Sequence, residues 1–406
     1  MSNGERLLIL GGGIAAVSAA EAARQADPER PVTICTEEGH YPYYRLRLSF
    51  LLGQPFEKSS LLIHPPGWYD ERNIGVLMGR RARSIDAERR IVTLESGETI
   101  PYGRLVIAVG ASAFLPPLPG TELPGVYTVR QVDDVEAINA SLCPGSRVIV
   151  VGGGILGLEA AWTLREQGIA VTVVEHGPRL LSRQLDAGGS RILERLAAAE
   201  GITLLTEANS VAIEKGEGVL RLRLADGRTV EGELIIFSTG IRANLDLARS
   251  AGIATGRGIC VDEWMQASVP GIFAAGDVAE FTGNLPGLWP VAAEQGKTAG
   301  HNAVLPQQDW TLYRPAAPSN MLRVFGIKIF SLGAVSPGEG IVILGDGEAG
   351  DKEYKGFFFR DGRLAGAVLM GDLKWANRLK AAMESGRDFS GATGTMKAFL
   401  AALADE

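Results

Sequence analysis

The chain has 406 residues, 46% hydrophobic and 21% charged, with 40 Lys and Arg against 47 Asp and Glu for a formal net charge of −7. That length predicts two or three domains rather than one, and the acidic balance argues against a nucleic-acid role. No run approaches the ~20 apolar residues that span a bilayer, and Met1–Arg6 does not read as a secretory signal. Cys35, Cys143 and Cys260 stand too far apart for a CxxC pair, a structural zinc or an iron–sulfur cluster, so a reducing cytoplasm is the expected location.

The first element is an apolar strand, Leu7 to Leu10, running into Gly11-Gly12-Gly13 and an alanine-rich helix start at Ile14, Ala15 and Ala16. In such a unit the first glycine permits a tight turn and the second, Gly13, lets backbone approach a pyrophosphate. A third small residue lets the helix pack on the strand, and the helix N-terminus faces the anion. Val32 to Cys35 reads as the second strand. Thr36, Glu37 and Glu38 lie where a ribose-binding carboxylate belongs; Glu37 is the choice, with a solvated loop acid as the competing reading. The segment from His40 to Ser49 is neither clean helix nor clean strand. Its Arg45 and Arg47, interleaved with Tyr43 and Tyr44, suit contacts to a pyrophosphate or adenine, or else a charged surface loop. Ile91 to Leu94 and Arg104 to Val109 read as strands, the latter closing on Gly110. The proline-rich run Leu115 to Gly120 is a domain boundary.

The pattern then repeats. Val148 to Val151 enters Gly152-Gly153-Gly154-Ile155-Leu156-Gly157, 141 residues after the first turn. Val171 to Val174 ends in Glu175, eighteen residues past Gly157, where a carboxylate accepts ribose hydroxyls and repels a 2′-phosphate, favouring NADH over NADPH. Glu159 suits the carboxamide end of a nicotinamide, or is an acid favoured by the helix dipole. Two cradles in one chain suggest two dinucleotides and a hydride passed between them. Val219 to Leu224 and Thr229 to Phe237 read as a hairpin about Asp226-Gly227, and the second of these leads to Ser238-Thr239-Gly240, an echo of the approach to Gly110. Gly276-Asp277 follows a strand and reads as opening a helix, with Asp277 either meeting sugar hydroxyls or acting as an N-cap. A helix from Val291 to Asn302 carries Gln295, with Trp289 just before it; an amide and an aromatic there suit a flavin's neighbours, and Trp289 equally suits packing. Beyond Pro306, Leu322 to Phe330 reads as a strand and Asp372 to Met383 as an amphipathic helix of a small α+β domain. His40, His64, His176 and His301 show no metal spacing and no nucleophile partner, so neither a metal ligand nor a catalytic acid or base is expected.

Together these features resemble the FAD/NAD(P)-dependent pyridine nucleotide–disulfide oxidoreductase superfamily over nearly the whole chain. Tyr43-Tyr44-Arg45-Leu46-Arg47-Leu48-Ser49, the segments Arg179 to Asp186 and Ser238 to Asn244, and Leu288 to Gly296 are similar to a narrower group, the NADH:rubredoxin oxidoreductases and the flavin-binding part of the nitrite reductase large subunit. The resemblance implies an α/β fold of two Rossmann-like dinucleotide-binding domains plus a small α+β C-terminal domain, with the NAD domain (114–240) inserted in an FAD domain (1–113 and 241–308) and 309–406 last. It implies FAD near Gly11, Gly13, Arg45, Ala82, Arg130, Gly276 and Asp277, and NADH near Gly152, Gly154, Gly157, Glu159, Glu175 and Gly240. Related NADH oxidases and peroxidases carry a cysteine after a Ser-Phe-Leu segment, whereas Ser49-Phe50-Leu51-Leu52 has none, which disfavours thiol chemistry. Phe50 also replaces the lysine of dioxygenase-type ferredoxin reductases.

The implied activity is NADH oxidation through FAD: a hydride passes from the nicotinamide to the flavin, and electrons leave singly. The acceptor would be rubredoxin, a ferredoxin or an iron–sulfur subunit. The sequence ends before any sirohaem module, so it is not expected to reduce nitrite alone. Two alternatives stay open: the NADH-oxidising FAD subunit of a multi-subunit oxidoreductase, such as a tungsten aldehyde oxidoreductase complex, and a flavin/NAD redox sensor or assembly protein.

Overall fold

A computed structural model of the chain describes residues 6–346 and 352–405; the first five residues, read above as carrying no leader, lie outside it. Two compact units emerge. One comprises the chain up to Arg47, Phe56–Ala113 and Gly240–Pro315; the other comprises Leu48–Pro55, Phe114–Thr239 and the chain from Ala316 onward.

The first unit is built on a parallel sheet in the order Ile272–Ala274, Arg104–Ile107, Leu7–Leu10, Val32–Cys35, Ile74–Leu77. Leu7 to Leu10 is buried at every position, as a central parallel strand covered on both faces must be. Such burial is worth about 2 kcal/mol for each large aliphatic side chain. The Ile14–Ala26 helix crosses the Trp289–Val304 helix with backbone against backbone. A Cβ on Gly296 would stand 2.3 Å from the Ala15 carbonyl oxygen, and one on Gly300 would stand 2.0 Å from that of Ala19. An antiparallel meander of Ala82–Asp86, Ile91–Leu94 and Thr99–Pro101 precedes the strand at Arg104.

The second unit repeats the plan. Its parallel sheet runs Thr203–Leu205, Ala170–Val174, Arg147–Val151, Leu234–Phe237, Val126–Thr128, and its meander is Ser210–Lys215, Leu220–Leu224, Thr229–Gly232. The expected hairpin arm from Thr229 to Phe237 is therefore two strands. Glu233 breaks it where its carboxylate takes the backbone N–H and guanidinium of Arg147, and Leu234–Phe237 crosses into the parallel sheet. A further antiparallel sheet follows in the order Ser319–Val324, Ile327–Gly333, Arg363–Met370, Tyr354–Arg360, Ile341–Asp346, with helices Ala376–Ser385 and Met396–Ala404. The single strand expected from Leu322 to Phe330 is a hairpin instead, folded at Phe325 and Gly326, both at positive φ (51° and 71°). The amphipathic helix expected from Asp372 begins only at Ala376. Two Rossmann-like α/β halves with a C-terminal α+β portion agree with the fold class read from the sequence.

Candidate functional site

The two glycine turns share one construction. In the first, the Gly11 N–H donates to the carbonyl of Cys35 at 2.8 Å; in the second, the Gly152 N–H donates to that of Val174, also at 2.8 Å. Each turn thus hangs from the last residue of the neighbouring strand. Gly11 and Gly152 have φ of +124° and +119°, a region only glycine enters without strain. A Cβ would strike Ala108 O at 2.1 Å in one and Ser238 O at 2.3 Å in the other. Gly13 and Gly154, the N-caps of Ile14–Ala26 and Ile155–Glu166, face the opposite situation: nothing lies within 4 Å of a Cβ built there. Neither helix has a side-chain cap hydrogen bond, so each offers first-turn N–H groups and its dipole to an anion. Ala16 is fully buried, and its counterpart Gly157 would put a Cβ 2.1 Å from Gly152 O; both let helix and turn close up.

The acids after the second strands differ. Glu175 is 8% exposed; its Oε2 accepts the Gly153 N–H and its Oε1 the Gly177 N–H, each at 2.6 Å, and His176 Nδ1 lies 3.0 Å from Oε1. By strand register the matching residue of the first unit is Thr36, whose Oγ1 would stand 2.6 Å from a Cβ on Gly12. Glu37, one residue on, is exposed and pairs with Arg81 at 3.4 Å.

Arg45 opens the 3-10 helix Arg45–Leu51. Its guanidinium pairs with Glu38, sits 5.0 Å from the Tyr43 ring centroid and lies 3.2 Å from the Tyr43 hydroxyl, which donates to Glu38 at 2.5 Å. Burial works against the charge, but Tyr43, Glu38 and Asp277 outweigh it and hold Arg45 above its ordinary pKa. Tyr44 stacks on Trp289 at 5.5 Å with 25° between planes, and Arg47 lies 4.9 Å from the Tyr44 centroid. Gly276, at φ +81°, donates its N–H to Oε1 of the buried Gln295 at 2.9 Å. Asp277 does not open a helix as expected: the chain turns there and enters the short strand Ala279–Phe281. Two helices begin beside it: a Cβ on Gly276 would stand 2.9 Å from the Ala15 Cβ, in the first turn of Ile14–Ala26, and 3.6 Å from the Ala292 Cβ of Trp289–Val304. On the parallel strand beside the glycine turn, burial pushes the Cys35 thiol up to about 11, against a partial offset from Arg80, and its S–H donates to Arg80 O at 3.3 Å. That is an inert thiol.

Glu159 stands on the Ile155–Glu166 helix, 8% exposed, and Oε2 accepts the Ser49 hydroxyl at 2.9 Å. Burial pushes its carboxyl up to about 7, with the Ser49 hydrogen bond pulling the other way.

The model of the pyridine nucleotide-disulphide oxidoreductase family matches residues 5–296. The chain belongs to that family. Residues 318–387 match a second model, the rubredoxin NAD+ reductase C-terminal domain. Among curated relatives, the chain is 32% identical over 390 residues to an assimilatory nitrate reductase electron transfer subunit of Bacillus subtilis, covering 95% of this chain and 50% of that protein. It is 31% identical over 384 residues to an NADH-rubredoxin oxidoreductase of Clostridium acetobutylicum, covering 95% and 96%. The crystal structure of the NADH:rubredoxin oxidoreductase from C. acetobutylicum superposes with a TM-score of 0.83 at 30% identity over 98% of this chain and 99% of that one. The chain spans about half the length of the first two curated relatives.

Within this family member the candidate residues fall into two groups. Gly11, Gly13, Ala15, Ala16, Glu37, Arg45, Ala82, Gly110, Gly276, Asp277 and Gln295 share the first unit with Gly240, while Arg130, Gly152, Gly154, Gly157, Glu159 and Glu175 share the second. Ala82 starts the Ala82–Asp86 strand, Gly110 and Gly240 take positive φ, and the Arg130 N–H donates to Asp134 at 2.8 Å. Sequence reasoning missed Ser49 as the partner of Glu159 and the Gly153 and Gly177 amides as holders of Glu175. The first pair is separated by 110 residues and left no local signal; the second is backbone and has none. No helix among the described residues is long and apolar enough to cross a membrane.

Proposed function

We propose that the chain is an NADH-dependent flavoprotein reductase that passes electrons through FAD to a small iron–sulfur carrier such as rubredoxin or ferredoxin, in a reducing cytoplasm. FAD belongs to the first glycine turn, in a domain of residues 1–113 and 241–308. NADH belongs to the second, in residues 114–240, and 309–406 form the C-terminal domain. The observation that carries this reading is the pair of matching turns, each closed to a Cβ at its first glycine and open at its second. That shape fits two diphosphates: the first glycine lets the turn close on its neighbouring strand, and the second leaves open space before the helix N-terminus. Bound FAD would supply the acceptance of a hydride as an electron pair and its release as single electrons.

The residues of the chain bind and orient. Gly13 and Gly154 free the helix N-termini for phosphate, and Ala15, Ala16 and Gly157 let those helices approach. Glu175, fastened by two backbone amides, presents its remaining lone pairs to ribose hydroxyls and repels a 2′-phosphate. Arg45, charged beside Glu38 and Asp277, faces the flavin's diphosphate; Glu37, Ala82, Gly110, Arg130, Gly276, Asp277 and Gln295 complete the flavin contacts, and Gly240 borders the nicotinamide nucleotide. Glu159 accepts the carboxamide N–H. No acid or base is needed for hydride transfer, and the inert Cys35 offers no thiol relay.

The name of the C. acetobutylicum relative and the C-terminal match support the choice of carrier. The half-length coverage of the nitrate and nitrite reductase relatives supports a second reading, an NADH-oxidising subunit of a larger complex. Purified protein reconstituted with FAD and assayed anaerobically with NADH and either rubredoxin or ferredoxin distinguishes them. Reduction of a carrier supports the reductase; NADH oxidation by an artificial acceptor but by neither carrier favours the complex subunit.

A further inference from the structure

The segment Leu48–Pro55 packs within the second unit. Asn139, on the Val132–Ser141 helix, fastens it three times: its Oδ1 accepts the Gly53 N–H at 2.7 Å, and its Nδ2 donates to the carbonyls of Leu51 and Gln54 at 2.9 and 3.0 Å. The strap so formed brings the buried Ser49 hydroxyl to Glu159. Glu159 has no cation to pair with there: burial and the Ser49 hydroxyl are the influences on its carboxyl, and no charged side chain among the described residues adds to them. A buried carboxyl without a counter-charge is costly to the fold, and groups so placed beside a ligand cradle are characteristically functional.

We propose that Ser49 is a positioning residue of the nicotinamide site, its Asn139-anchored hydroxyl holding Glu159 in the orientation and charge state in which the other carboxyl oxygen receives the ligand's carboxamide. This rests on the second unit being the NADH site. A hydroxyl donates to the carboxylate and accepts from the carboxylic acid, so it steadies the group in both states while favouring the anion. The anion is the better acceptor for the carboxamide N–H and a counter-charge for an oxidised nicotinamide. Ligand binding near neutrality is then coupled to loss of the Glu159 proton, and Ser49 sets where that loss occurs.

The test is NAD+ affinity by calorimetry across pH 5.5 to 8.5, with 13C NMR of labelled glutamate carboxyls on the ligand-free protein, for wild type, Ser49→Ala, Ser49→Thr and Glu159→Gln. Binding of wild type should tighten through an inflection near pH 7. Ser49→Ala should move the inflection and the Glu159 resonance alkaline by about one pH unit, weakening binding at pH 7 about five-fold. Ser49→Thr should restore both, and Glu159→Gln should remove the pH dependence. An unmoved inflection in Ser49→Ala, with its fold intact by circular dichroism, overturns the proposal. Absence of NAD+ binding in wild type overturns both this and the assignment of the site, whereas intact binding without carrier reduction counts against the reductase reading alone.

Discussion

The carboxylate of Glu175 accepts the backbone N–H of Gly153 across 2.6 Å, so the acid ending the strand Ala170–Val174 is fastened to the glycine turn it serves. With Gly177 bonded to the other oxygen, the side chain is both a ligand contact and a brace for the turn. Glu175→Ala leaves both amides without their acceptor and should cost about 2–4 kcal/mol of stability. NADH should bind more weakly and discrimination against NADPH should fall. Thermal unfolding and the KM values for the two nucleotides check both effects.

Glycines of one turn should respond in opposite ways. Gly152→Ala drives a Cβ to 2.3 Å from Ser238 O at a φ of +119°, and should lower stability by about 3 kcal/mol or more. Gly154→Ala meets nothing within 4 Å and should fold as wild type. It occupies the space through which a diphosphate approaches, so NADH affinity should fall about ten-fold or more. Melting temperatures paired with binding isotherms separate the two.

Glu159 should make the ligand-free protein less stable as pH rises. Its carboxyl keeps the proton up to about pH 7 when folded, against 4.5 ordinarily. Between those values the folded state binds more protons than the unfolded, so stability declines with rising pH and the deficit is complete above about 7. Glu159→Gln should therefore be more stable than wild type at pH 8, by roughly 2–3 kcal/mol, and indistinguishable from it at pH 4.5. Denaturant unfolding at the two pH values measures this.

The helix crossing of the first unit predicts a third kind of failure. Gly300→Val sets side-chain atoms against Ala19, whose carbonyl oxygen would lie 2.0 Å from the new Cβ, and should destabilise by more than about 3 kcal/mol. Loss of flavin on gel filtration, with parallel loss of helical ellipticity, is the expected sign.

The central strands of both parallel sheets and both glycine turns were legible because strand, glycine turn and helix start are contiguous and each glycine has its own steric reason. The short flanking strands Ile74–Leu77, Val126–Thr128 and Thr203–Leu205 were not, having no such neighbouring signal. Long-range register was not. The first unit puts Thr36 where the second puts Glu175, a one-residue offset that the acidic run Glu37-Glu38 hides. Glu233 breaks a strand of otherwise suitable composition because Arg147 lies beside it in space. The Phe325-Gly326 turn rests on one glycine inside an apolar run that reads equally as a continuous strand, with Phe325 itself at positive φ giving no help. Asp277 resembles an N-cap because Gly-Asp commonly precedes a helix, whereas here the helix whose residue Gln295 holds that glycine is a later one.

Anaerobic stopped-flow mixing of the FAD-loaded protein with NADH, followed in a second mix by oxidised rubredoxin, tests electron transfer most directly. Rapid bleaching of the bound flavin and then its rapid recovery as rubredoxin is reduced is the expected result. A bound flavin that NADH fails to bleach would contradict it.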